Sequence, residues 1–153
     1  MMILRDLATR MKRNKKILIQ IAVNSDLQTV WAYWTDPRKI VDWYTGHKDM
    51  YTEKSINELI VGRKFCHSMK SNDGNISFLF KGIYTRIDPC NTLSYRMDDK
   101  RLVHTSFIEK NSKIIITKEI EMEEQNPLES QAIWWRNVLS NFKRHVETQS
   151  INK

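Results

Sequence analysis

The apolar positions of this chain change their period twice. From Lys15 to Val23, the residues Ile17, Ile19, Ile21 and Val23 alternate with Leu18, Gln20 and Ala22, which predicts a strand with one apolar face. Asn24–Ser25–Asp26 supplies a turn and a cap, and Leu27, Val30, Trp31 and Trp34 then fall at helical spacing as far as Thr35. Asp36–Pro37 stops that helix, and Arg38–Trp43, carrying Ile40, Val41 and Trp43, predicts a second short one. From Asp49 onward the period of two returns. Strands are predicted at Tyr51–Asn57, Arg63–Lys70, Ile76–Ile87, Thr92–Met97, Leu102–Glu109 and Lys113–Glu123, with turn residues between them. The pair Asp73–Gly74 marks a tight hairpin, because it supplies positive φ values. The last segment is helical again. Leu128, Ala132, Trp135, Leu139, Phe142 and Val146 draw one apolar stripe, with Asn126 as N-cap and Pro127 at the first helical position.

One strand, two short helices, a block of strands and one long helix predict an α+β domain. A curved antiparallel sheet of six or seven strands wraps the closing helix, and residues 16–150 form this single domain behind a basic extension, residues 1–15. No apolar run approaches the roughly 20 residues that span a bilayer, and no signal peptide is visible, so a cytoplasmic protein without stable membrane insertion is expected. Cys66 and Cys90 show no metal or redox spacing and are expected to be idle thiols. The net charge of +7 is concentrated. Residues 1–16 hold Arg5, Arg10, Lys12, Arg13, Lys15 and Lys16 against Asp6 alone. The rest is nearly balanced, which argues against nucleic acid as a partner. The leading reading of the basic segment is a solvated extension. A weak contact with an anionic membrane or nucleic acid and a targeting presequence are the alternatives.

The order of elements carries specific words: Val30–Trp31, Trp34–Thr35–Asp36–Pro37, Trp43, Gly62–Arg63–Lys64–Phe65, Met69 followed by Asp73–Gly74, Phe78 to Gly82 with Tyr84, and Asp88–Pro89. Arg101 to Val103, Phe107, Glu129, Gln131, Trp135, Leu139 and Asn141–Phe142–Lys143 continue them. Together they resemble the START-like, or SRPBCC, superfamily with its helix-grip fold. Within it the chain is similar to the family named after the activator of the ATPase of the 90-kDa heat-shock chaperone, whose bacterial members are often labelled polyketide cyclase-like. The resemblance covers roughly residues 16–148. It departs at Trp134, Arg63 and Lys100, where the family usually has glycine. An indole in place of a glycine on the gripping helix adds bulk, so a smaller cavity with Trp134 in its wall is expected.

The resemblance implies a hydrophobic ligand, a lipid or polyketide for example, held between sheet and helix. The aromatic inward face supports the same reading, since pockets for apolar molecules are lined by rings with a few polar tips. The ligand-binding residues expected are Trp34, Trp43, Phe65, His67, Met69, Phe78, Phe80, Tyr84, Tyr95, Lys118, Trp134 and Trp135. His67 shares a strand face with Phe65 and Met69. It either contacts a ligand or simply satisfies a core hydroxyl or carbonyl. Lys118 interrupts the apolar side of the last strand and is a candidate carboxylate anchor or imine-forming amine, against the leading reading that its stem snorkels to solvent. No nucleophile elbow, metal spacing or phosphate loop is present, and no metal or other cofactor is expected. Non-catalytic binding by a monomer or homodimer is therefore the first reading. A cyclase or hydrolase using His67, Tyr84 and Lys118, and a co-chaperone-like interaction protein, are the alternatives.

Overall fold

The computed structural model describes residues 16–151, so the basic extension expected at residues 1–15 lies outside the described residues. Strand β1 (Lys16–Val23) leads into helices α1 (Leu27–Thr35) and α2 (Pro37–Trp43). Six strands follow: β2 (Met50–Asn57), β3 (Lys64–Ser71), β4 (Ser77–Asp88), β5 (Thr92–Met97), β6 (Leu102–Lys110) and β7 (Lys113–Glu121). Helix α3 (Leu128–Ile151) closes the chain. The strands form one antiparallel sheet in the order β1-β7-β6-β5-β4-β3-β2. Register shifts at Thr52/Lys54 and Tyr84/Arg86 mark irregularities that bend it.

Local chemistry explains the entry to each helix. Asp26 accepts from the Thr29 backbone N–H at 2.8 Å and caps α1. Asp36 caps α2 by accepting from the Arg38 N–H, with Pro37 at the first helical position. Helix α3 begins one residue later than the Asn126–Pro127 signal implies, and the Pro127 carbonyl accepts the bond from the Gln131 N–H. Gln131 also binds the backbone of Glu123 and Asn126, which fixes the loop between β7 and α3.

The stripe on α3 is the core. Ala132, Trp135, Leu139, Phe142 and Val146 are buried, as is Val138, while Leu128 is half-buried. The word Asn141–Phe142–Lys143 acquires a physical meaning. Asn141 Nδ2 donates to the Thr45 carbonyl at 2.8 Å, Phe142 sits edge-on to Trp34 and Trp43, and Lys143 Nζ donates to the Ala22 carbonyl at 2.6 Å. These contacts lock α3 to the α2–β2 loop, to the short helices and to the end of β1. No helix among the described residues is long and apolar enough to cross a membrane.

Two turns differ in detail from the sequence reading. At the β3–β4 hairpin only Gly74 has positive φ (+79°); it follows a turn closed by its N–H to the Ser71 carbonyl. At the β5–β6 turn Lys100 holds φ +74°, a conformation that disfavours a side chain. Lys100→Gly is therefore expected to raise stability by up to about 1 kcal/mol, read as a shift in the denaturant midpoint at constant slope.

Candidate ligand cavity

The inner face of the sheet and the two short helices border a cavity of about 30 Å³, room for about one water molecule, and no residue of α3 lines it. Strands β3, β4 and β5 contribute Phe65, His67, Phe80, Tyr84, Leu93 and Tyr95. The short helices and the residue after them contribute Trp34, Ile40, Trp43 and Tyr44, and β7 contributes Lys118. A wider concavity of about 490 Å³ lies among Lys16, Arg86, His104, Glu119 and Glu121, but it is an open, charged groove without an aromatic enclosure.

Eight of the twelve residues expected at the site line this cavity: Trp34, Trp43, Phe65, His67, Phe80, Tyr84, Tyr95 and Lys118. Met69 and Trp135 are buried in the core beside it without lining it, and the Trp135 ring meets Phe80 at 5.6 Å. Phe78 is 40% exposed at the start of β4. Trp134 is not in the wall. Its half-buried indole covers Gly46 in the α2–β2 loop and stands 6.4 Å from the Phe78 ring. A step of about 100° from Trp135 carries it past the sheet to that loop. The expectation that Trp134 narrows the cavity is thereby corrected.

Lys118 is the largest departure from the sequence reading. It is 1% exposed and does not snorkel. It lies well inside β7, opposite Ile19 of β1 and Thr105 of β6, so paired strands flank it on both sides. The stem has no sheet edge to escape past. Instead the ammonium stands 4.8 Å from the Trp34 ring, 5.2 Å from Trp135 and 5.7 Å from Tyr95. Such faces attract a cation but do not replace its hydration. Burial alone lowers its pKa to about 7, with no carboxylate opposing it.

The other polar groups are held in different ways. Ser55 Oγ and His67 Nδ1 share a hydrogen bond of 3.0 Å across β2 and β3, so the imidazole does satisfy a core hydroxyl. Burial first, and Lys118 second, lower the His67 pKa to about 3, which keeps the ring neutral. The Tyr84 hydroxyl donates to Asn57 Oδ1, and burial raises its pKa. Burial likewise raises Tyr44 and Tyr95. The Tyr44 hydroxyl and Thr105 Oγ1 are buried with no hydrogen-bond partner. Ile40, Tyr44 and Leu93 line the cavity without being among the twelve expected; Tyr44 follows the end of α2, where no repeat assigns a face. Its backbone is fixed by Thr52, whose hydroxyl donates to the Tyr44 carbonyl at 2.6 Å. No cluster of His, Cys, Asp or Glu suited to a metal ion occurs among the described residues.

A curved antiparallel sheet gripping one long helix over a small aromatic cavity defines the START-like, helix-grip class. The chain belongs to the Activator of Hsp90 ATPase homolog 1-like family, which its residues 24–147 match. The solution structure of an AHSA1-like protein from Aeromonas hydrophila is 33% identical, with a TM-score of 0.84 over 89% of this chain and 94% of that one. A protein from Cytophaga hutchinsonii is 28% identical, with a TM-score of 0.76 over 90% of this chain and 96% of its own. A protein from Nitrosomonas europaea shares the fold at 13% identity, with a TM-score of 0.76 over 89% of this chain and 96% of the other. No curated protein matches the sequence.

Proposed function

We propose that this protein is a cytoplasmic, non-catalytic binder of a small hydrophobic ligand, taken up between the sheet and the short helices α1 and α2 rather than against α3. The observation that carries the reading is the company kept by Lys118: a buried ammonium and an unpartnered Tyr44 hydroxyl inside an otherwise aromatic enclosure. A core selected for stability alone replaces such groups with apolar ones, because a buried charge is costly. At about 30 Å³ the cavity admits little more than one small polar group, so the body of a ligand enters only as lining rings swing aside. Binding is then expected to be slower than diffusion-limited association.

His67, Tyr84 and Lys118 line one cavity, as an acid–base enzyme would require. His67, with its pKa near 3, is a poor base at neutral pH, and the Tyr84 proton is engaged by Asn57. Binding is the better-supported use. The test is titration with alcohols, acids and amides of six to twelve carbons, followed by tryptophan fluorescence and native mass spectrometry. Trp34 and Trp43 line the cavity and report occupancy directly. The expected outcome is a saturable one-to-one complex and a higher thermal midpoint in excess ligand. Absence of saturable binding across the panel contradicts the proposal.

A further inference from the structure

We propose that Lys118 is the anchor for the carboxylate of a small apolar acid, with Tyr44 as a second hydrogen-bond donor. This deepens the preceding reading and rests on it. An ammonium carries three donors, and three ring faces satisfy none of them as an acceptor oxygen would. The Tyr44 hydroxyl lines the same cavity without a partner. Thr105, whose hydroxyl is also unpartnered, stands directly across from Lys118 in the ladder between β6 and β7. A carboxylate has two oxygens that accept up to about four hydrogen bonds and one negative charge, which matches a single ammonium with neighbouring hydroxyls.

Other ligand classes fit less well. A neutral hydrocarbon leaves the ammonium and the hydroxyls unmet, and a cation is repelled by Lys118. A phosphate dianion carries twice the charge, and no arginine lines the cavity to meet it. The remaining lining, Trp34, Trp43, Phe65, Phe80 and Leu93, suits an apolar body.

The pH behaviour follows from the groups that face Lys118. Strands β1 and β6 present Ile19 and Thr105 beside it, and α1 and α3 present Trp34 and Trp135, none of which titrates. The titratable neighbours are His67 on β3, Tyr84 on β4, Tyr95 on β5 and Tyr44 after α2. His67 has its pKa near 3 and the three tyrosines are raised, so Lys118 is the lining group whose charge changes around pH 7. The bound carboxylate favours the protonated amine. Affinity for the acid must therefore fall as pH rises above about 7.

Calorimetric titration of the full chain with 3-phenylpropionate and its amide, and with octanoate and its amide, tests the assignment. Near neutral pH each acid is expected to bind at least about tenfold tighter than its amide, a preference that shrinks by about pH 9. Lys118→Met is expected to abolish the preference while still binding the amides, its fold verified by circular dichroism. Tyr44→Phe, which keeps the ring, is expected to weaken the acids several-fold. Equal binding of acid and amide by the unsubstituted protein overturns the anchor and leaves the apolar-ligand reading standing, as does a preference that survives in Lys118→Met. Binding of neither acid nor amide overturns both.

Discussion

Lys118→Met is expected to stabilise the protein by about 1–4 kcal/mol at neutral pH, the scale of gain when buried charged groups give way to well-packed apolar side chains of similar volume. The side chain is 1% exposed, and burial lowers its pKa from the ordinary 10.5 to about 7. That gap is worth on the order of 5 kcal/mol, which the ring faces of Trp34, Trp135 and Tyr95 offset in part. The sign with pH is definite. Between about 7 and 10.5 the unfolded chain holds a proton on Lys118 that the folded chain has released, so stability rises with pH through that window. Methionine removes this rise, and the advantage of the variant shrinks toward alkaline pH. The buried tyrosines act oppositely above about pH 10, where ionisation favours the unfolded chain, so the comparison is made by urea unfolding from about pH 6.5 to about pH 9.5. A variant less stable than its parent, or a difference constant across this range, contradicts the account.

Gly46→Ala is expected to destabilise by about 2–3 kcal/mol, although Gly46 has no unusual backbone conformation to protect. A Cβ at that position meets Trp134 Cδ2 at 2.2 Å, Cε3 at 2.5 Å and Cγ at 2.6 Å. Neither side yields easily. Asn137 Nδ2 donates to the Gly46 carbonyl at 3.0 Å and Asn141 Nδ2 to the Thr45 carbonyl at 2.8 Å, so the loop is fastened to the helix that carries the indole. In a Trp134→Gly background the same alanine is expected to cost less than about 0.5 kcal/mol, an interaction energy of at least about 1.5 kcal/mol in a double-mutant cycle. Equal costs in both backgrounds show that the indole is not what excludes a side chain. Here the helix carries the bulk and the facing loop the small residue.

Much of the site was legible because strand alternation is a local rule. Once β3, β4 and β5 are identified, Phe65, His67, Phe80, Tyr84 and Tyr95 are bound to share the inner face. Alternation does not say where a face stops being covered, and Phe78, in phase with Phe80, is left 40% exposed. It does not rank depth either. Lys118 is in phase with Ile116 and Ile120, but whether its stem reaches water depends on which strands lie beside β7.

The sequence by itself determined the order of the elements, the apolar stripe of α3 and the inward face of each strand, since these follow from the period of two or 3.6 residues and from Asp26, Asp36 and Pro37 at the helix starts. Only the tertiary structure decided what depends on contacts distant in the chain. It placed the first strand beside the last, sealing Lys118 on its second side. It brought the loop at Gly46 under residue 134, turning Trp134 away from the cavity. It drew Tyr44 into the lining and left its hydroxyl unpartnered. The physical reason is that a side chain's direction is set by its own backbone, whereas its burial and its partners are set by segments a hundred residues away.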